Sequence, residues 1–182
     1  EQGFKYRKQV IDTTVELNQK SMFDAGMYLD VKNPQTFTIV DNYRFAIEQS
    51  RIAEGDYNNT LRRGKNGEPL IFDGEVGVEV RKDVGSVVVG LVKSLNNSGK
   101  VAEAKELTER YSDYLNEKDR AKLIADSDES DVKNQALNQL ATMRANNAKD
   151  PKRKSTSPTI TEITSLDLSE PVKQKMREYK DQ

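Results

Sequence analysis

Between residues 76 and 95 the apolar side chains Val76, Val80, Val84, Val88, Leu91 and Leu95 recur at spacings of four and three, the repeat of a helix with one buried face. This pattern covers some twenty residues, and it commits the middle of the sequence to helical packing. Val76, Val78 and Val80 also alternate as in a strand, and Val and Gly are modest or poor helix formers. The longer pattern prevails: a helix is predicted over residues 83–96, closed by Asn97, Ser98 and Gly99, with a short β-hairpin near 70–80 as the alternative for what precedes it.

Other segments follow the same logic. Val10, Ile11, Val15 and Leu17, extended by Met22, Phe23, Met27 and Leu29, predict a long first helix that Asn33 and Pro34 break. Thr36 is placed to cap a second helix carrying Val40, Tyr43, Ile47 and Arg51, which Gly55 is expected to end. Residues 56–69 are dense in Asn, Gly and Pro and read as a surface loop or short hairpin. Helix formers return over residues 101–115, and a short helix is expected over 117–125 behind a cap at Asn116 to Asp119. The acidic residues 126–131 read as a loop, with Asp131 capping a further helix through Val132, Ala136, Leu140 and Met143. Residues 149–161 hold two prolines and a basic cluster without an apolar stripe, which predicts a mobile linker before a last helix, 170–179, capped by Ser169. The expected organisation is a helical domain over 1–148 and a linker with a C-terminal arm over 149–182. The expected fold is all-α, an elongated helical bundle or a degenerate helical repeat.

Composition bears on function mostly by exclusion. The 182 residues contain no Cys and no His, which removes thiolate nucleophiles, imidazole bases and the usual soft-metal ligands. Catalysis would have to use carboxylates, Lys or Tyr. Hydrophobic residues make up 35% of the chain, so the core should be thin. Lys and Arg number 29 against 30 Asp and Glu, and this balance gives no field for nucleic acid. The cluster Lys149, Lys152, Arg153 and Lys154 has no aromatic neighbour for base stacking and reads as solvated linker. Asp126, Asp128, Ser130 and Asp131 look like the start of a calcium loop, but Leu137 stands where a bidentate Glu is needed. No run of apolar residues is long enough to span a membrane. No cofactor is expected. The chain starts at Glu1 rather than Met, which we read as processing or a fragment, with export to a periplasmic or extracellular space favoured over the cytoplasm or a virion.

One local pattern carries a family likeness. Val88, Leu91 and Leu95, then Gly99 at a turn and Ala104 as a small residue five positions on, resemble a tetratricopeptide-type helical hairpin over residues 88–111. A fainter echo starts at Gly55, with Thr60 in place of the small residue. The resemblance implies protein binding rather than chemistry. The expected function is therefore a non-enzymatic structural or scaffold protein in a homo- or hetero-oligomeric assembly of surface, flagellar or virion type. Exposed Phe37, Tyr57, Phe72 and Tyr179 would suit partner contacts, and the arm residues Ile160, Ile163, Leu166, Leu168, Val172, Met176 and Tyr179 are expected to dock on another subunit. The alternatives are a carboxylate-based hydrolytic enzyme and a tetratricopeptide-like adaptor for a peptide.

Overall fold

Val84, Val88, Leu91, Val92 and Leu95 are fully buried along one helix, and the first part of the chain is arranged around it. The computed structural model describes residues 2–61 and 73–182. Among the described residues the fold is all-α, without strands: α1 (Gln2–Gly26), α2 (Gln35–Leu61), α3 (Asp73–Asn97), α4 (Val101–Arg110), a 3-10 turn (Ser112–Tyr114), α5 (Glu117–Asn147), α6 (Ile160–Thr164) and α7 (Glu170–Tyr179). Its contacts divide it into two units, Glu1–Ile124 and Ala125–Gln182, so the break falls inside α5 rather than at 148/149.

In the first unit α1 and α2 form an antiparallel pair, α3 packs on both, and α4 folds back on α3. Helix α3 begins ten residues before the predicted 83. The hairpin alternative fails over 73–80, since Val76 and Val80 turn inward while Val78 faces solvent, as a 3.6-residue repeat requires. Residues 70–72 of that expectation lie outside the described residues. Gly55 does not end α2 but lies buried inside it, where an added Cβ would come within 2.8 Å of Val76, so its role is close packing of α2 on α3. The loop expected over 56–69 is helical as far as Leu61, and its remainder lies outside the described residues.

Gly99 has φ 78°, the left-handed region that glycine enters without penalty, and the Lys100 amide donates to Leu95 O at 2.9 Å to close α3. The Lys100 ammonium then donates to Met27 O and Leu29 O, both at 3.1 Å, and satisfies carbonyls of the connection that follows α1. Ala104 is fully buried between α3 and α4. Gly85 is needed for another reason: a Cβ there would stand 2.4 Å from the backbone oxygen of Tyr114, so the 3-10 turn rests directly on α3.

In the second unit residues 126–131 are helical, not a loop, and α5 runs unbroken through them. The later half of α5 supplies Ala136 and Leu140 to a small core with Ile163, Val172 and Met176. Residues 149–161 are tied back rather than free. Arg153 donates to both oxygens of Glu162 at 2.6 and 2.9 Å and to Asn147 Oδ1 at 2.7 Å, and Ser157 Oγ donates to Lys180 O at 2.6 Å. A capping box between Thr159 and Glu162 starts α6.

Two outcomes follow from these contacts. Gly85→Ala should destabilise the first unit by about 1–3 kcal/mol, because backbone cannot yield to the new Cβ, whereas Gly77→Ala, which meets nothing within 4 Å, should stabilise by about 0.5–1 kcal/mol; denaturant unfolding of the two variants checks this. The Glu162 carboxyl is held at about 2, down from 4.5, first by the Arg153 hydrogen bond and then by the Thr159 amide. A carboxyl with a depressed folded pKa contributes stability above its unfolded value and loses it as pH falls through the folded one. The melting temperature of the second unit should therefore drop between pH 4.5 and about 2. Arg153→Met should flatten that drop, and a carbon-13 NMR titration of Glu162 near 4.5 would contradict the pairing.

Candidate interaction surfaces

Two places in the described structure have the chemistry to meet another molecule, and a third was expected to. The first is the outer face of α1. Ile11, Val15 and Met22 are the inward residues of this helix, with Val15 and Met22 fully buried. Tyr6, Val10 and Leu17 fall within about 40° of one another on a helical wheel and about 140° from that inner face. They are 72%, 46% and 62% exposed. Sequence reasoning placed Val10 and Leu17 on one loose face with Ile11 and Val15. The structure separates them into two stripes, and the spacings 6, 10, 17 against 11, 15, 22 carried that signal.

The second is a cleft of about 600 Å3 in the first unit, between α3 and the turn that leads into α5. Arg81, Lys82 and Ser86 stand on the α3 side, Asp113, Asn116 and Asp119 on the other, and Gly85, Val89, Tyr114 and Leu115 complete it. The absent Cβ of Gly85 sets how closely the two sides approach. Asn116 Oδ1 accepts from the Asp119 amide at 2.8 Å, so the start of α5 is already capped.

The third was expected to be the C-terminal arm. Ile163, Val172 and Met176 are buried against Ala136 and Leu140, and Leu166, Leu168 and Tyr179 pack half-buried around them. Only Ile160 of that set stays outside, 56% exposed. Their apolar surface is thus covered within the chain, which removes the reason for assigning them to another subunit. Phe37, expected on the surface, is 3% exposed, with the Arg110 guanidinium 4.7 Å from its ring centre. The side chains of Tyr57 and Phe72 lie outside the described residues.

Several carboxylates of the first unit are drawn into ion pairs. Arg51, from α2, donates through Nε to Asp83 of α3 at 2.6 Å, and through Nη1 to Asp12 of α1 and to Glu54, both at 2.8 Å. Lys8 adds contacts to Asp12 and Glu54 at 3.3 Å. Burial opposes the Arg51 charge, but the hydrogen bonds it donates to Asp83, Glu54 and Asp12 outweigh it and raise its pKa. A second cluster joins α2 to α4 and the turn behind it: the Tyr111 hydroxyl donates to Asp41, the Tyr114 hydroxyl to Glu48, and Arg44 donates to Glu48 at 2.7 Å and to Tyr114 Oη at 3.2 Å. Burial, then the carboxylate bond, raises the pKa of each tyrosine, so both stay protonated donors at neutral pH. Among the described residues no group of three or more carboxylates is placed to hold a metal ion, and no helix is long and apolar enough to cross a membrane.

Arg51→Met should cost about 3 kcal/mol, because it leaves Asp83, nearly buried, without its counter-ion. Arg51→Met combined with Asp83→Leu should recover much of that loss, and chemical denaturation of the single and double variants measures it. No protein-family model, curated protein or solved structure matches this chain, so its surfaces and electrostatics are the ground on which its function is argued.

Proposed function

We propose that this chain is a non-enzymatic structural or scaffold protein that works through protein–protein contacts in a larger assembly, of the surface, flagellar or virion type. The observation that carries this reading is the second apolar stripe of α1. A helix needs one apolar face to join its own core, and α1 has that face in Ile11, Val15 and Met22. Tyr6, Val10 and Leu17 form another on the far side, where they stand in water unless a partner covers them. The tight carboxylate pairs support a structural rather than a hydrolytic role, since Asp12, Asp41, Glu48, Glu54 and Asp83 are each held by an arginine or a tyrosine.

The cleft favours a second reading, a tetratricopeptide-like adaptor. It borders the α3–α4 hairpin, where the family resemblance lies, and its opposed charges suit a peptide bearing both signs. One experiment separates the readings. A photo-cross-linking residue is placed singly at Leu17, at Ser86 in the cleft, and at exposed Ala102 as a control, in the full chain in its own cells. Assembly through α1 predicts discrete protein adducts from position 17 well above those from 102. Adducts from 86 but not 17 would favour the adaptor, and background yield at all three positions would sink both.

A further inference from the structure

We infer that the outer stripe of α1 is covered by the same stripe of a second copy of this chain, packed antiparallel. This rests on the assembly reading and names its partner.

The first reason is the way charge runs along the helix. Lys5, Arg7 and Lys8 lie in the first two turns, while Asp12, Glu16 and Asp24 follow with Lys20 the single cation among them. The first turn has no acid and the last turn no base, so α1 carries its charges against its own macrodipole. A second α1 laid antiparallel puts each basic end beside an acidic end and opposes the two dipoles. A parallel copy would stack like charge on like.

The second reason is the flank of the stripe. Lys5 and Glu16 are both exposed, and on a helical wheel they fall within about 20° of each other, on one side of the Tyr6, Val10 and Leu17 stripe and about 110° from its centre. In an antiparallel pair, residues on one flank face the same flank of the partner. The register that sets Tyr6 against Leu17 of the second copy places Lys5 on the same flank as Glu16 of that copy and about two residues from it along the axis, where opposite charges on long side chains attract, and the two-fold axis repeats the arrangement. Val10 then lies near the axis, facing Thr13 of the second copy. In a parallel pair Lys5 and Glu16 would not meet.

The chain has no cysteine, so introduced thiols are the only ones present. Full-length Tyr6→Cys and Leu17→Cys variants, whose positions face each other across the antiparallel seam, are mixed and oxidised under mild conditions. The antiparallel pair predicts mixed disulfide dimers well above their statistical share, whereas an excess of either like-with-like dimer overturns it. Sedimentation velocity of the parent over a concentration series should show a reversible dimer. Leu17→Lys should raise its dissociation constant at least about tenfold, with an unchanged far-ultraviolet spectrum showing that the fold survives. Lys5→Glu should weaken the dimer, and Lys5→Glu with Glu16→Lys should restore it. A parent that stays monomeric throughout and gives no mixed disulfide overturns self-pairing. If position 17 still cross-links to a different protein in cells, the assembly reading stands without it; if it does not, both fail.

Discussion

The guanidinium of Arg51 is where three helices are held to one another. Its Nε reaches Asp83 on α3 and its Nη1 reaches Asp12 on α1, while Glu54 on its own helix completes the set. Asp83 is nearly buried, and Gln19 of α1 donates to its carbonyl at 2.8 Å, so the same residue ties α1 to α3 through the backbone as well. An arginine can do this because its planar fork presents several donors in fixed directions, which a lysine cannot. The apolar stripes of α1, α2 and α3 then close beside it, and the register among the helices follows from a charge constellation as much as from the core.

That dependence is a consequence of composition. With 35% hydrophobic residues, each helix has enough apolar side chains for a narrow stripe and little more. The remaining interhelical space is bridged by long polar side chains: Tyr111 and Tyr114 span from the α4 region to Asp41 and Glu48, and Lys100 reaches the carbonyls of Met27 and Leu29 in the connection just after α1. These links set geometry more than they add stability, because taking a charge out of water costs much of what its partner returns. Large apolar side chains stand in water on other helices as well, Phe45 and Ile52 of α2 and Val78 of α3 among them, but on α1 three of them, Tyr6, Val10 and Leu17, share one face.

The sequence was legible wherever one local signal decided the structure. The all-α class, the stripe from Val84 to Leu95, the glycine turn at 99, the cap at Asn116 and the last helix are all of this kind. It was not legible where one residue type serves two purposes. Gly55 reads equally as a helix stop and as a gap for a neighbouring helix, and only the approach of Val76 distinguishes them. The Asp and Ser of residues 126–131 favour caps and turns by themselves, yet here they sit within an unbroken α5, with Ser127 fully buried. Ile163, Val172 and Met176 were recognised as needing cover, but that the cover is Ala136 and Leu140 of the same chain is a long-range fact that no local pattern states.

The outer stripe of α1 shows why such a surface is easy to overlook. Counted by composition, Val10, Ile11, Val15 and Leu17 are simply four apolar residues in a row of eight, and any loose wheel places them together. Their separation into two faces depends on a rotation of about 100° per residue, so that moving from Val10 to Ile11 already crosses from water to core. The physical consequence is that the two stripes bear differently on folding. The inner stripe belongs to the core of the first unit, and its loss would cost cavity formation there. The outer stripe contributes little to that core, so substitutions at Tyr6, Val10 or Leu17 change the surface of the folded chain without altering how it folds.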